Sequence, residues 1–578
     1  MPPVLADIAT DVTNYKVVFG RESVSPEMGV LSVVIQKSLN RISSAEIVFT
    51  DADHTEEEFP WSNKEFTKPG TDVEIKVGYH DETSTIFKGI IVKQHLKINK
   101  KKTILTIECK DKAIKIASIK KSAYYEDMKD SEVWNQIISG AGLNADVANT
   151  SVQHKELVQY SCSDWDFLVA RAEMNGMVVV NNDGTLKVIK PPAAGLPVIT
   201  AGYGKNLFEF DADMDARTQH KQVIAKSWSA ADQSTLEESS SEPSLLLNGD
   251  INGSDLADGI NGDDYQLFHS GRLMQDELKA WADAKLLKSR LAKIRGRVKI
   301  QGDGKVNPGD IIALAGVGDR FAGNVMATAV RHEIAKGSWY TDIQFGQSPD
   351  WYSVEMEIDE KPASSMISSI QGLQIGIVTA LENDPEGEFR IKVRIPVISN
   401  TEEGAWARLA TPDAGNNRGI VIRPELGDEV IVGFINNDPR DAVVLGCLHS
   451  SKNVAPVEAK DDNHQKGWIT RSEMKIILDD EKKSILIATP AENKILISEE
   501  DKSILIQDQN GNKIQINSDG ILMESIKDII MKATGDIKME GINIESKANA
   551  AFKAQGSASA EISSSATTTV KGSVVQIN

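Results

Sequence analysis

The residues that could carry chemistry are few and scattered. Asp461-Asp462-Asn463-His464 places two carboxylates beside an imidazole, the types an acid–base pair uses. Adjacent carboxylates in a short linker have no pocket to fix their separation or move their pKa values, so the stretch reads as solvated. His332 and His449 stand alone, without the His-x-x-x-His spacing that puts two imidazoles on one helix face, so no metal centre is expected. Asp250-Ile251-Asn252-Gly253-Ser254-Asp255 has the acidic spacing of a calcium loop. Asp255 and Asn261 stand where that loop needs Gly and Glu, and the segment reads as a solvated acidic loop. Cys109, Cys162 and Cys447 are too few and too far apart for a disulfide framework, and no Cys-x-x-Cys is present. The chain is therefore expected to fold in a reducing cytoplasm and to be no enzyme, with no catalytic residue, cofactor or metal.

What the chain has instead is repetition. From Ser472 one short unit returns: Ile476-Ile477-Leu478, Ile485-Leu486-Ile487, Ile495-Leu496-Ile497, Ile504-Leu505-Ile506, Ile514-Gln515-Ile516, Ile521-Leu522-Met523, Ile529-Ile530-Met531 and Ile537-Lys538-Met539. The starts lie 9, 10, 9, 10, 7, 8 and 8 residues apart, with polar or Gly turns between them such as Asp508-Gln509-Asn510-Gly511-Asn512. Short strands at a fixed period read as a β-solenoid or β-prism. A single chain coiling this tightly would enclose almost no interior. Several chains wound together would turn each Ile-x-Ile towards a shared axis and pair edges otherwise left open, so an intertwined trimer is expected. Leu486, Leu496 and Leu505 face the other way and are apolar too, which assigns them to neighbouring chains. Towards the end the apolar residues shrink, as in Ala548-Asn549-Ala550-Ala551-Phe552 and Thr567-Thr568-Thr569-Val570, which fits a narrowing rod. The competing reading is a disordered Ser/Ala/Thr tail. The strand signal Val574-Val575-Gln576-Ile577 favours the rod.

The net charge of −20 argues against nucleic acid or an anionic membrane as partner, and no basic stripe with interleaved aromatics appears. Met1-Pro2-Pro3-Val4-Leu5-Ala6-Asp7 has neither the charged nor the apolar region of a signal peptide. No apolar run is long enough to span a bilayer as a helix.

A chain of 578 residues holds about three to five domains. Closely spaced strands predict a first barrel over 1–115. Residues 116–200 read as an insertion of two helices and a hairpin. Ser131 is the expected N-cap of the first helix; the second begins at Ser163, and the hairpin turns at Asn181-Asn182-Asp183-Gly184. Residues 201–365 read as a second barrel, with an acidic loop at 230–265 and a long helix at 271–294. Five strands in 366–450 suit an OB-type barrel. A linker at 451–470 leads to the repeat at 471–578. The expected fold is mainly β: two barrels with α/β insertions, an OB-fold, and a C-terminal intertwined triple-stranded β-helix. Trp165 and Trp406 are expected to be core anchors.

The OB-type stretch carries specific phrases. They run Gly376-Ile377-Val378, Asp384-Pro385, Arg390-Ile391-Lys392-Val393, Ala405-Trp406-Ala407-Arg408, Pro424-Glu425-Leu426-Gly427-Asp428-Glu429-Val430-Ile431-Val432-Gly433-Phe434, Asp438-Pro439 and Val443-Val444-Leu445-Gly446. This order and spacing closely resemble the OB-fold of the VgrG/phage tail-spike family. Ile395-Pro396-Val397-Ile398 departs from it, where secretion-system members often have Phe-Pro-Trp. Asp164-Trp165-Asp166-Phe167-Leu168 through Arg171, Glu173 and Gly176 looks like the family's hub segment. Asn307-Pro308-Gly309-Asp310 and Gly323-Asn324-Val325 through His332 resemble its second hub barrel.

The resemblance implies a homotrimer: a pseudo-sixfold hub from two barrels per subunit, an OB collar and a β-helical needle. It implies the spike and baseplate hub of a contractile injection machine, whether type VI secretion, phage tail or extracellular particle. Implied partners are the inner tube, baseplate proteins, a PAAR-type tip protein, effector cargo and, on firing, a target cell envelope. Such a protein is made in the cytoplasm and delivered outside the cell within the particle. A prism ending at residue 578 leaves unpaired strand groups, which makes Val574, Val575, Gln576, Ile577 and Asn578 the expected contact for the tip protein. The alternative is a trimeric tail spike with a glycan-hydrolase or glycan-binding site on the prism. The Asp and Glu residues of the repeat lie mostly in turns, which disfavours it.

Overall fold

The computed structural model describes residues 12–577 apart from 25–28, 52–58, 81, 101 and 261. The chain divides into two compact units, Met1–Ser369 and Ile370–Asn578. Among the described residues no helix is long and apolar enough to cross a membrane.

The first unit is built on a 13-stranded sheet. Strands such as Thr103–Lys110 alternate buried and half-buried residues along their length, the pattern of a sheet with one face on a core. The strands of the two expected hub barrels belong to this one sheet. They join where Gly323–Ala335 pairs antiparallel with Val30–Ser38, Ile35 opposite His332 and Val33 opposite Ile334. Two separate cores lie along it. One gathers Phe19, Ile35, Ile47, Ile75 and Leu105; the other gathers Val298, Ile312, Val330, Ile343 and Phe345. The 13-residue strand Gly323–Ala335 serves both, sending Val325, Ala327 and Val330 into the second and Ile334 into the first.

The insertion forms the expected helices, Asp130–Gly140 and Asp164–Met174, beside the hairpin of Val178–Asn182 and Thr185–Ile189. Ser163 caps the second helix by accepting the Asp166 N–H at 3.1 Å. Ser131 is not the first cap: Lys129 stands there, and the Ser131 hydroxyl lies 3.3 Å from that of Thr150. Trp134, Trp165, Leu168 and Val179 share a core, so Trp165 anchors as expected.

The long helix runs from Gln275 to Leu291 and packs Leu278, Ala282 and Leu286 on Val223, Ala225 and Leu267. The segment 230–265 is not a plain loop. It contains the strand Ser234–Ser239, paired with Val223–Ser229, and the helix Gly253–Ile260. Asp250 is taken by an ion pair with Arg320, and Asn261 lies outside the described residues.

In the second unit, Gln374–Ala380, Ile391–Arg394, Ala405–Leu409, Ala442–Cys447 and Glu429–Phe434 close a five-stranded barrel around Val378, Ile391, Val393, Val430, Val432 and Val444. Trp406 is no core anchor. It is half-buried with the Lys392 ammonium 5.6 Å from its ring centre, and Ala407 is the residue that points inward.

Candidate functional site

The repeat forms a seven-stranded antiparallel meander: Gln465–Ile469, Lys475–Asp479, Ser484–Ala488, Lys494–Ser498, Ser503–Gln507, Lys513–Asn517 and Gly520–Glu524. The first of these lies inside the expected linker 451–470.

Its turns explain the alternating spacing. On one edge the loops open at Thr470, Thr489 and Asp508, each 19 residues after the last. Each closes by a bond from its first N–H to a carbonyl four residues on: Thr470 to Met474 at 2.9 Å, Thr489 to Asn493 at 3.0 Å, Asp508 to Asn512 at 3.0 Å. On the other edge the loops open at Asp479, Ser498 and Asn517, again 19 residues apart. There a side chain closes the turn: Asp479 Oδ1 accepts Lys482 N–H at 3.0 Å, Ser498 Oγ accepts Asp501 N–H at 3.0 Å, and Asn517 Oδ1 accepts Asp519 N–H at 3.0 Å. Gly511 takes a φ of +95° in one of these turns, where a side chain would be strained. The repeating unit is thus a 19-residue hairpin rather than a nine-residue coil.

A two-residue side-chain period sorts the strands into two faces. One carries a double ladder of isoleucine. Ile476 faces Ile487, Ile487 faces Ile495, and Ile495 faces Ile506; beside them Ile485 faces Ile497, and Ile497 faces Ile504. These side chains remain open, Ile476 at 39 % and Ile506 at 47 % exposure. The groove over Ile476, Ile487, Ile495, Ile506, Ile514 and Met523 has a volume of about 780 Å³. The other face carries Ile477, Leu486, Leu496 and Leu505 in register.

Beyond Glu524 the pattern changes. Among the described residues, 525–577 hold no strand or helix, and 526–577 are exposed throughout. The triplets at 529–531 and 537–539 and the run Val574–Ile577 are therefore not strands within one chain. A strand needs a partner, and among the described residues this segment makes no backbone–backbone hydrogen bond to its own chain. Val574 is 83 % and Ile577 90 % exposed, Val575 and Gln576 are exposed as well, and Asn578 lies outside the described residues.

The barrel's two Asp-Pro phrases have a physical role. Asp384 accepts the N–H groups of Glu388 at 2.8 Å and Arg390 at 3.1 Å, and the Arg390 guanidinium reaches it at 2.7 Å. Asp438 accepts the Arg440 N–H at 3.0 Å and its Nη2 at 2.5 Å. These bonds, led by the arginine side chains, hold both carboxyls well below the usual carboxylate range, Asp438 at about 2. Arg471, just before the second strand of the meander, reaches Glu425 of the barrel's Pro-Glu-Leu-Gly-Asp phrase at 2.8 Å.

No acid–base constellation emerges among the residues singled out from sequence. Asp461 and Asp462 are exposed, and His332 is buried with Nδ1 3.1 Å from Thr341 Oγ1. Sequence reasoning missed the buried cluster of Asp130, His154, Arg171 and Glu277, whose members lie on four elements far apart in the chain.

A family model described as the Alg8 N-terminal domain matches residues 9–336. Another, described as the type VI secretion system/phage-baseplate injector OB domain, matches residues 374–449. The chain is 34 % identical over 88 residues to the type VI secretion system spike protein VgrG3 of Vibrio cholerae, 14 % of this chain and 8 % of that protein. It is 29 % identical over 133 residues to the spike protein VgrG1a of Pseudomonas aeruginosa, 20 % of this chain and 21 % of that one. The match thus spans under a quarter of these relatives' length. A tail protein of prophage MuSo2 from Shewanella oneidensis aligns over 58 % of this chain and 98 % of its own, at 9 % identity and a TM-score of 0.44. With one family model over more than half of its length and the injector OB domain following it, the chain belongs to the Alg8 N-terminal domain family and is a VgrG-like tail-spike protein.

Proposed function

We propose that this chain is the non-enzymatic spike and baseplate hub of a contractile injection machine, of type VI, phage-tail or extracellular-particle kind, and that it works as a homotrimer. The observation that carries this is the open isoleucine ladder. Apolar faces of this size are covered in working proteins, and lone monomers rarely expose them. Three chains bringing that face to a common axis bury it, and they supply the strand partners that residues 525–577 lack. The hub joins the inner tube, and contraction drives the needle through a target envelope. Stiffness is the mechanism, since a closed prism leaves no free edge along its sides.

Val574, Val575, Gln576, Ile577 and Asn578 contact a PAAR-type tip protein, which covers the apolar end, and effector cargo travels with the tip. Two measurements test this reading. Light scattering on the purified protein gives a mass of three chains; a monomer overturns the trimer. Deleting residues 574–578 abolishes co-purification of the tip protein while the trimer persists; unchanged tip binding overturns the contact.

A further inference from the structure

Lys37 lies on the strand Val30–Ser38 and is 4 % exposed. Its Nζ donates to two side-chain amides, to Asn182 Oδ1 at 2.7 Å and to Asn307 Oδ1 at 3.0 Å. Asn182 ends the strand Val178–Asn182, and Asn307 belongs to the Asn-Pro-Gly-Asp turn. Burial pushes the ammonium towards the neutral amine, and the charges of Asp183, Asp111 and Asp310 oppose it. Asp111 is 1 % exposed. Burial raises its carboxyl, against the N–H groups of Ala113 at 2.9 Å and Gly184 at 3.1 Å. A desolvated lysine amine is a nucleophile. The Asn182 carbonyl carbon is one C=O bond, about 1.2 Å, beyond the oxygen that Nζ already touches. Holding the desolvated amine in hydrogen-bond contact with the half-buried amide lowers the entropic barrier to their reaction.

We propose that Lys37 and Asn182 react on folding to form an intramolecular amide bond between Nζ and Cγ. The Nζ lone pair attacks Cγ. Asp111, bonded to Gly184 in the same turn, takes a proton from Nζ and returns it to Nδ2. The Cγ–Nδ2 bond then breaks and ammonia leaves. No oxidant, metal or cofactor enters the balance. Asn307 Oδ1 keeps its hydrogen bond to the new amide N–H and fixes the amine's direction of approach. The link would join residues 145 apart in sequence. It would tie the insertion's hairpin to the strand that pairs with Gly323–Ala335, at the seam shared by both cores.

The test is the intact mass of the folded full-length protein together with its tryptic map. The expected mass is one ammonia below that of the sequence, with a branched peptide joining Lys37 to Asn182. Lys37→Met is expected to retain the ammonia and to yield no branched peptide. Asn182→Asp is expected to lose one water and reach the same product as the natural protein. A folded natural protein of full sequence mass, with linear peptides only, overturns the proposal. So does an ammonia loss that survives Lys37→Met, which would mark a succinimide elsewhere, or a branch at Asn307. A linked Asp111→Asn protein would overturn the proton route.

Discussion

Arg171 grips Asp130 with both arms of its guanidinium, Nε to Oδ1 at 2.7 Å and Nη2 to Oδ2 at 2.9 Å. Asp130 opens one helix of the insertion and Arg171 lies in the next. His154 Nε2 and Asn175 Nδ2 also come within 3.0 Å of Asp130 Oδ2, and Glu277 of the long helix reaches Arg171 at 3.4 Å. One buried carboxylate therefore organises three other groups, and a fourth element is reached through Arg171. Burial alone would raise this carboxyl; the hydrogen bonds from His154, Arg171 and Asn175 outweigh it and hold the group well below the usual range.

Asp130→Ala strips the buried arginine of its two-armed partner and leaves it only the longer Glu277 contact at 3.4 Å, and is expected to cost about 3–5 kcal/mol. Urea unfolding followed separately in the two units measures it. The loss should fall on the first unit and leave the second unit's transition unmoved.

Acid should destabilise the first unit through two histidines. Burial holds His332 down at about 3. Burial likewise holds His220 at about 4, helped by Lys285 and Arg290. His332 faces Thr341 and Trp339, and His220 stacks on Tyr265 with ring centres 4.3 Å apart. Both folded values lie below the unfolded value, so below about pH 6.5 the unfolded state binds more protons. Stability is complete above that pH and is lost as pH falls towards the folded values. For His332 the loss between about pH 6.5 and 5 is about 2 kcal/mol, and less for the half-buried His220. His332→Gln should flatten the curve of urea midpoint against pH over that range; an unchanged slope would dismiss the histidine.

Ile497→Asp sets a carboxylate in the middle of the isoleucine ladder, between Ile485 and Ile504. Sedimentation velocity should show loss of the proposed trimer, because a charge on the apolar face that the trimer would bury cannot be solvated there. Lys483→Ala, in an exposed turn, should leave the association state unchanged.

Gly404 precedes the Ala405–Leu409 strand with a φ of +92°, and a Cβ there would run into the Val393 carbonyl oxygen. Gly404→Ala is expected to cost the second unit at least about 1–3 kcal/mol. Thermal unfolding monitored on that unit would read it, and a neutral result would show that the strand can shift to make room.

Much of the second unit was legible because its signals are local. The barrel phrases fix turns through Asp384 and Asp438, and the 9-and-10 spacing is the alternation of two turn types on opposite sheet edges. The helix beginning at Ser163 was legible from its cap for the same reason. What escaped depends on distant partners. Nothing in Gly323–Ala335 by itself says that one strand will serve two cores. The strand Ser234–Ser239 hides in a Ser/Glu-rich run and exists because Trp228 and Lys226 lie on the strand beside it. The triplets after Glu524 have strand composition without a strand, because pairing is a property of two segments and these residues meet no second one among the described residues. Asp130 and Arg171 are 41 positions apart, and charged residues at that spacing are ordinary surface until folding buries them.

The 19-residue hairpin makes the meander's length a graded quantity. Duplicating one unit adds two strands, about 10 Å along the stack at ordinary strand spacing, and leaves each loop on its own edge and each isoleucine on its own side. Adding half a unit would carry the chain across the sheet and reverse every strand after it. Unequal recombination in whole hairpins can therefore lengthen or shorten the meander, much as a ruler is cut at its marks, without moving any isoleucine off the ladder's face.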